Sequence, residues 1–245
     1  MCTLIVARNV YQLFPLVVAA NRDERLDRPS NPPALRQDLD PLVLAPADLE
    51  GGGTWIGVNA AGVFAGITNR ADVPSRDGLA SRGALVLQAL AERDARKAAQ
   101  RLARADGRAY NGFRLVIADR EDTFLVSGDG MGVRVDPLGS GLHIVTNLGF
   151  GPDSCARAAS AAVAYRRHAR HCPPTPAALG AMLGVHGASP LDGTCVHMPE
   201  RGYGTRSSTI VRMDDRGARF GMWHREGPAC AGPFGKPTYL KIPPI

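Results

Sequence analysis

Two apolar segments open the chain and predict a β-hairpin. Residues 2–7 and 14–20 are apolar and partly β-branched, a composition that favours strands. The connection between them is short, as it is in hairpins. In an antiparallel pair the first strand begins where the second one ends, so Cys2 is expected to lie near Asn21, Arg22 and Asp23.

Hydrophobic periodicity predicts a regular order of elements along the rest of the chain. After the hairpin, strands are predicted at 42–45, 51–59 (with a glycine-rich turn at its start), 62–70, 113–118, 123–127, 132–135, 142–147, 202–212 and 219–224. Helices are predicted over 79–93, 95–105, 156–171 and 175–183. Residues 25–46 carry five prolines and are predicted to be mainly a loop, with only the short strand at 42–45 in it.

This order predicts the fold class. Groups of strands alternate twice with pairs of helices, which is typical of an α+β protein with layered packing. We expect a four-layer αββα sandwich in which two antiparallel sheets carry helices on their outer faces. No internal repeat or low-complexity linker interrupts the chain, so residues 1–245 are predicted to form a single domain.

Composition and charge exclude several classes of function. The chain is 44% hydrophobic and 21% charged, as in soluble globular proteins. Its longest apolar run, 13–20, has eight residues, so no stable membrane insertion is expected. A formal charge of +6 would attract anions, but no nucleic-acid motif accompanies it, so a nucleic-acid partner is not expected.

The five cysteines are odd in number and widely spaced, and no CxxC pair occurs. This pattern predicts neither a metal site nor a disulfide framework. It favours a reducing compartment, and no basic and apolar leader precedes Cys2, so a cytoplasmic location is expected.

Cys2 is the first candidate for chemistry. Removal of the initiator methionine would place an α-amine on the residue that carries the thiol. An α-amine titrates at about 7.7–8.0 and can accept the thiol proton, while a nearby Arg22 would favour the thiolate. The alternative is that Cys2 is a small apolar residue in a buried strand.

Further polar residues fall at predicted strand ends, where side chains can converge on one edge of a sheet. Asn69 and Asn147 each end a strand, and Arg206 lies in a turn that leads into one. The alternatives are that the asparagines satisfy turn backbone and that Arg206 forms a surface ion pair. The triple glycine before Trp55 is equally well interpreted as a tight turn or as a pocket wall.

Several motifs together resemble one known family. They are Cys2 after the initiator, Asn21-Arg22-Asp23-Glu24, the block GGGTWIG at 51–57 and GTRSST at 204–209. They resemble the NRDE family, which is the transport-and-Golgi-organisation protein family. More distantly, the pattern resembles N-terminal-nucleophile hydrolases of the choloylglycine hydrolase and penicillin acyltransferase type.

The resemblance implies an αββα fold and a hydrolase or acyltransferase that attacks an amide or thioester of a small acyl compound. The implied catalytic residues are Cys2 as nucleophile, Arg22 and Asp23 to orient it, Asn69 and Asn147 as oxyanion donors, and Arg206 to hold the charge of the site. The implied substrate-binding residues are Asn21, Gly53 and Trp55. The implied partner is a small-molecule substrate, with no metal and no cofactor.

The resemblance equally implies a carrier that binds haem or a lipid such as acyl-CoA without cleaving it. The candidate haem ligands are Cys2, His143, His197 and His224, and none of them has a diagnostic spacing. A lone histidine is more often structural than ligating, so haem binding ranks below hydrolysis.

Overall fold

Strands and helices alternate in groups along the computed structural model, which describes residues 2–170, 174–214 and 218–243. The helices are α1 (Gly83–Leu90), α2 (Ala95–Ala103), α3 (Ala156–His168) and α4 (Pro176–Leu183). The strands are β1 (Cys2–Tyr11), β2 (Phe14–Arg25), β3 (Ser30–Arg36), β4 (Val43–Asp48), β5 (Ile56–Asn59), β6 (Phe64–Asn69), β7 (Phe113–Ala118), β8 (Thr123–Gly128), β9 (Val133–Pro137), β10 (Gly141–Thr146), β11 (His197–Met198), β12 (Tyr203–Met213), β13 (Arg219–Glu226) and β14 (Thr238–Lys241).

The strands form two antiparallel sheets. Sheet A has the order β10-β1-β2-β12-β13-β14, with β11 paired to β12. Sheet B runs β3-β4-β5-β6-β7-β8-β9, so its strands follow the order of the chain. Two antiparallel sheets with two pairs of helices confirm the predicted α+β class.

The predicted hairpin is present and gives sheet A two of its central strands. β1 pairs with β2 so that Cys2 lies opposite Arg22 and Thr3 lies opposite Asn21. On its other side, β1 pairs with β10, and Thr3 lies opposite Thr146. The start of the chain is therefore flanked by two strands.

The strand β3 corrects the prediction of a loop over 25–46. Pro32 and Pro33 lack the N–H group that a central strand donates, which made a strand look unfavourable. The structure accommodates both prolines because β3 is an edge strand and its pairing with β4 shifts register between Asn31 and Ala34. Because neither proline is paired with a residue of β4, no inter-strand hydrogen bond is lost.

Helices α3 and α4 pack against one face of sheet A. Their alanines and leucines, with Tyr165, meet apolar residues of β1, β2, β10 and β12 in one buried cluster. Thr175 caps α4, because its hydroxyl accepts a hydrogen bond from the backbone N–H of Ala178, as the Thr-Pro start predicted. The last residue of the predicted helix 156–171, His171, lies outside the described residues.

Helices α1 and α2 pack against sheet B in the same manner, and a buried asparagine fixes where α1 ends. Asn59 is fully buried, and its Nδ2 donates to the carbonyls of Leu90 and Glu92, each at 2.7 Å. Its Oδ1 accepts hydrogen bonds from the backbone N–H groups of Ala61 and Val63. This cap ends α1 at Leu90, three residues before the predicted end.

The chain divides into two compact units. Unit 1 comprises Met1–Arg28, Ser140–Asp215 and Gly221–Thr238, and unit 2 comprises Pro29–Gly139, Arg216–Phe220 and Tyr239–Ile245. Unit 1 contains α3, α4 and most of sheet A, and unit 2 contains α1, α2 and sheet B. The single domain stays a prediction. Within the described ranges, no helix is long and apolar enough to cross a membrane.

Replacing Asn59 with alanine should destabilise the protein strongly. The change leaves buried carbonyl and N–H groups without hydrogen-bond partners, so we expect the free energy of unfolding to fall by about 2–4 kcal/mol. Urea unfolding followed by circular dichroism measures it. The exposed Asn31→Ala is the control and should change stability by less than about 0.5 kcal/mol. Equal effects of the two substitutions would contradict the capping role.

Candidate active site

One end of sheet A brings together five of the six predicted catalytic residues. Cys2 begins β1 and lies opposite Arg22 on β2. Asn147 directly follows Thr146, the β10 partner of Thr3, and so lies beside the start of β1. Asp23 is the next residue of β2 after Arg22, and it lies opposite Thr205 of β12.

The fifth residue, Arg206, lies in a β-bulge. Thr205 pairs with Asp23 and Ser207 pairs with Arg22, so Arg206 is an extra residue on β12. Its guanidinium donates a hydrogen bond to Glu226. The pKa of Glu226 is lowered, first by its hydrogen bond with His224 and then by Arg206. Within unit 1, Arg206 therefore forms an ion pair, as its alternative interpretation predicted.

Successive residues of β2 face opposite sides of sheet A. Paired residues of neighbouring strands share a face, so Arg22 lies on the face of Cys2. Asp23 lies on the other face, where α3 and α4 pack. Arg22 and Asp23 are adjacent in the sequence, but their side chains therefore lie on opposite faces of the sheet.

Asp23 forms a buried ion pair with Arg157 of α3. Both residues are almost fully buried, with 1% and 2% of their surfaces exposed. Arg157 Nη1 donates to Asp23 Oδ2 at 2.6 Å, and the Thr205 hydroxyl donates to Asp23 Oδ1 at 2.7 Å. Burial raises the pKa of Asp23, while the Arg157 charge and these hydrogen bonds oppose the rise.

The thiol of Cys2 has a raised pKa, in contrast to the predicted activation. Burial is the largest cause, and the charge of Asp23 adds to it. The charge of Arg22 and a hydrogen bond from the backbone of Asp23 lower the pKa, but they do not offset burial. The resting thiol is therefore protonated near neutral pH and needs a base before it can attack.

Buried polar atoms of this region that have no hydrogen-bond partner within the described ranges include the hydroxyl oxygens of Thr3 and Ser207 and Arg206 Nε. Ser207 lies opposite Arg22 and therefore on the face of Cys2. A buried polar atom without a partner costs free energy, so such atoms commonly serve a ligand or water.

The side chain of Asn21 forms hydrogen bonds that stabilise the fold. Its Nδ2 donates to the carbonyls of Leu183 at 2.9 Å and Thr194 at 2.7 Å, and its Oδ1 accepts from the Ser208 hydroxyl at 2.7 Å. These bonds tie β2 to the end of α4 and to β12. The geometry favours a structural role for Asn21 over the predicted substrate contact.

The remaining predicted site residues belong to unit 2. Asn69 ends β6 opposite Phe113. Gly53 packs against Gly83 so closely that a Cβ atom would lie 2.5 Å from its carbonyl carbon, which explains why a glycine is needed. Trp55 is half-buried and packs against the core of unit 2. The predicted catalytic role of Asn69 and the substrate contacts of Gly53 and Trp55 stay predictions.

Arg157 and Thr205 are not among the site residues predicted from the sequence. Arg157 stands one helical turn before Ala161 and two before Ala164, so it lies on the inward face of an alanine-rich helix. A charged residue in that position was the available signal of a buried ion pair. Thr205 lies in the motif at 204–209 without having been assigned a role.

The first 164 residues match a known family. Residues 1–164 match the model of the family described as Transport and Golgi organisation 2. The Transport and Golgi organization protein 2 homologs of Bos taurus and Homo sapiens are 36% and 35% identical to the chain over 118 residues. Each alignment covers 46% of this chain and 41% of the relative, so it spans less than half of either protein.

Solved structures of two hydrolases share the fold. The Caenorhabditis elegans ortholog of N-acylethanolamine-hydrolyzing acid amidase superposes with a TM-score of 0.59 at 11% identity, over 86% of this chain and 92% of that one. The C2A mutant of the conjugated bile acid hydrolase from Clostridium perfringens gives 0.56 at 12% identity, over 100% and 99% of the two chains. At these identities the similarity shows the fold alone.

Replacing Arg157 with methionine should destabilise the protein in a pH-dependent manner. It leaves Asp23 buried without its cation, so we expect a loss of about 3–5 kcal/mol at pH 7. The Arg157 charge opposes the rise in the pKa of Asp23 that burial causes, so without Arg157 the neutral form of Asp23 is favoured further and the loss should shrink as the pH falls towards about 4. Urea unfolding at several pH values measures both.

Arg96→Met is the matched control, because Arg96 forms an exposed ion pair with Asp122. Its loss should stay below about 1 kcal/mol. If Arg157→Met loses no more stability than this control, or if its loss does not change with pH, the result would contradict a buried ion pair between Asp23 and Arg157.

Proposed function

The chain belongs to the Transport and Golgi organisation 2 family, and we propose that it is a cysteine-nucleophile hydrolase or acyltransferase. Its substrate in this proposal is a small acyl compound, and the bond attacked is an amide or a thioester. The observation that carries the proposal is the pairing of Cys2 with Arg22 at the end of sheet A, with Asn147 following the strand on the other side.

The proposal assigns the base to the α-amine that Cys2 gains when the initiator methionine is removed. An α-amine has a pKa of about 7.7–8.0, so it can take the proton of a buried thiol. Arg22 favours the thiolate that forms, because its charge lowers the pKa of Cys2. Arg22 itself stays protonated and cannot act as the base.

The reaction then proceeds in two steps. The sulfur bonds to the carbonyl carbon, its proton passes through the amine to the leaving nitrogen or sulfur, and the amide or thioester bond breaks. Water attacks the resulting acyl thioester, the acid leaves, and Cys2 regains its proton. In an acyltransferase another nucleophile takes the place of water.

Stabilisation of the oxyanion is assigned to asparagine side chains. Asn147 directly follows the β10 partner of Thr3, so by strand register it lies next to the start of β1. The role of Asn69 as a second donor stays a prediction from the sequence. Removing one such donor typically costs about 100- to 1,000-fold in rate.

The structural neighbours support this reaction class. One is an acid amidase whose name specifies hydrolysis of N-acylethanolamines, and the other is a hydrolase of conjugated bile acids. Both names describe cleavage of a small molecule, and the C2A mutant shows that the second protein carries a cysteine at its position 2. These names support a cysteine hydrolase here without identifying the acyl group.

The raised pKa of Cys2 disfavours both attack by the thiolate and ligation of haem iron by it, so it favours the second candidate in the form of a carrier for an acyl chain. A protonated, half-buried thiol can line a pocket without reacting. Two of the proposed haem ligands are already engaged. His224 is hydrogen-bonded through both ring nitrogens, to Thr209 and Glu226, and His197 Nε2 lies 3.3 Å from two thiols.

Intact-mass spectrometry should show that the initiator methionine is absent from most of the purified protein. The proposed base exists only when Cys2 is the first residue. We expect the mass to be that of residues 2–245. Turnover by protein that retains the methionine would refute the amine as the base.

An acyl-enzyme should form on Cys2. We expect wild-type protein, incubated with a panel of acyl amides and acyl thioesters, to gain the mass of an acyl group on the peptide that begins with Cys2. Peptide mapping by mass spectrometry locates the adduct, and product release is measured in parallel. Cys2→Ala should lose the adduct and at least about 1,000-fold of the rate, because the nucleophile is absent.

Cys155→Ala is the matched control, since it removes another half-buried thiol of unit 1 and should keep the adduct. Turnover that survives in Cys2→Ala would refute the nucleophile. Tight reversible binding by wild type and Cys2→Ala alike, without an adduct and with a Soret band after haem is added, would replace the hydrolase by the carrier.

A further inference from the structure

Two cysteines and two histidines meet on the surface of unit 1, apart from the predicted catalytic residues. They are His186, Cys195, His197 and Cys230, and their potential ligand atoms all lie within 4.8 Å of one another. Cys195 Sγ lies 3.5 Å from Cys230 Sγ, and each sulfur lies 3.3 Å from His197 Nε2. The rings of His186 and His197 have centroids 5.0 Å apart.

The loop between α4 and β11 folds back on itself to bring His186 to the cluster. Gly187 and Gly193 cross so closely that a Cβ atom on either would lie 2.4–2.5 Å from a backbone nitrogen of the other. The backbone N–H of Cys195 donates to the carbonyl of Val185 at 3.0 Å. These two contacts place residues 186 and 195 side by side.

The other two members come from separate segments. His197 lies on β11, opposite Gly204 of β12. Cys230 lies in the short 3-10 turn Ala229–Ala231, which packs against Gly184 at the end of α4. A Cβ atom on Gly184 would lie 3.2 Å from the backbone nitrogen of Cys230, so the glycine lets this turn approach.

The spacing of these atoms matches that of tetrahedral zinc ligands. Zinc–sulfur bonds of about 2.3 Å and zinc–nitrogen bonds of about 2.0–2.1 Å place neighbouring ligand atoms about 3.3–3.8 Å apart. The three distances among Cys195, His197 and Cys230 lie in that range. A sulfur separation of 3.5 Å is longer than a disulfide bond, which measures about 2.05 Å.

We propose that His186, Cys195, His197 and Cys230 bind one Zn²⁺ ion in a structural site. Two thiolates and two imidazoles are a ligand set that zinc prefers, and four protein ligands leave no open position for a substrate. Each thiol loses its proton to the buffer as zinc binds. The ion joins the α4–β11 loop to the turn at residues 229–231.

The ion would also stabilise the end of sheet A, on the face where Asp23 and Thr205 lie. The Thr205 hydroxyl donates to Asp23, and the backbone N–H of Thr205 donates to the carbonyl of Val196, the neighbour of Cys195, at 2.8 Å. The backbone N–H of Val196 donates to the same hydroxyl at 2.9 Å. A fixed Cys195 therefore holds the adjacent Val196 and, through it, Thr205 and the carboxylate of Asp23. The zinc proposal does not depend on the hydrolase proposal.

The expectation of no metal site followed from spacing in the sequence. The ligands come from three segments, and the two cysteines are 35 residues apart. No CxxC or HxxxH pair marks them. The crossing of Gly187 and Gly193, the pairing of β11 with β12 and the approach of the 229–231 turn to Gly184 bring them together.

The test measures metal content and cobalt spectra of tag-free protein. We expect about one zinc per chain by mass spectrometry of the metal, or tight uptake by chelator-treated protein. Co²⁺ in its place should give the intense visible bands of tetrahedral coordination and thiolate charge-transfer bands. His186→Ala and His197→Ala change exposed residues and should fold, and each should weaken zinc binding by at least about 10- to 100-fold.

Cys155→Ser and His143→Ala are the matched controls and should bind zinc as wild type does. Cys195→Ser and Cys230→Ser should lose the charge-transfer bands, and removal of zinc should lower the melting temperature of wild type more than that of these variants. Absence of zinc uptake at micromolar concentration would overturn the proposal. A Cys195–Cys230 disulfide in freshly purified protein, or unchanged zinc content in all four variants, would overturn it as well.

Discussion

The buried ion pair between Asp23 and Arg157 is the constraint on which the candidate site depends. A carboxylate loses several kcal/mol of hydration when it is buried, so it must be compensated by a cation and by hydrogen bonds. Arg157 supplies the charge from α3, and Thr205 supplies a hydroxyl from β12. The Tyr203 hydroxyl donates to the backbone carbonyl of Asp23 at 2.9 Å. The end of β2 is thereby held to a helix and a neighbouring strand. Because β2 pairs with β1, the position of Cys2 is fixed as well.

The alternation of side chains along β2 separates structural and chemical roles within three residues. Asn21 and Asp23 face the helices, where hydrogen bonds to α4, β12 and α3 occupy them. Arg22, between them, faces the side of Cys2. A shift of one residue in the pairing would exchange these faces and bury Arg22 among the helices. The anchoring of Asn21 and Asp23 therefore determines where the charge of Arg22 lies.

The sequence was sufficient for features that depend on local pattern. Apolar runs predicted the hairpin of β1 and β2, and strand ends predicted that Cys2, Arg22, Asp23 and Asn147 lie near one another. Features that depend on tertiary contacts were missed. β3 contains two prolines that only an edge position and an irregular register accommodate. Arg157 is 134 residues from its partner, and no local pattern specifies such a pair.

The raised pKa of Cys2 sets a condition that a hydrolytic mechanism must meet. Each unit by which the pKa rises adds about 1.4 kcal/mol to the cost of forming the thiolate, so a base must lie close to the sulfur. Asp23 does not serve, because its two carboxylate oxygens accept from Arg157 and Thr205 on the other face of the sheet. Arg22 cannot accept a proton, and the amide of Asn147 is not a base near neutral pH.

The α-amine of a processed Cys2 is the group that meets the condition in the proposed mechanism, since it is attached to the same residue and titrates near neutral pH. The proposed hydrolysis therefore depends on N-terminal processing, whereas the alternative, binding of an acyl chain or haem, does not.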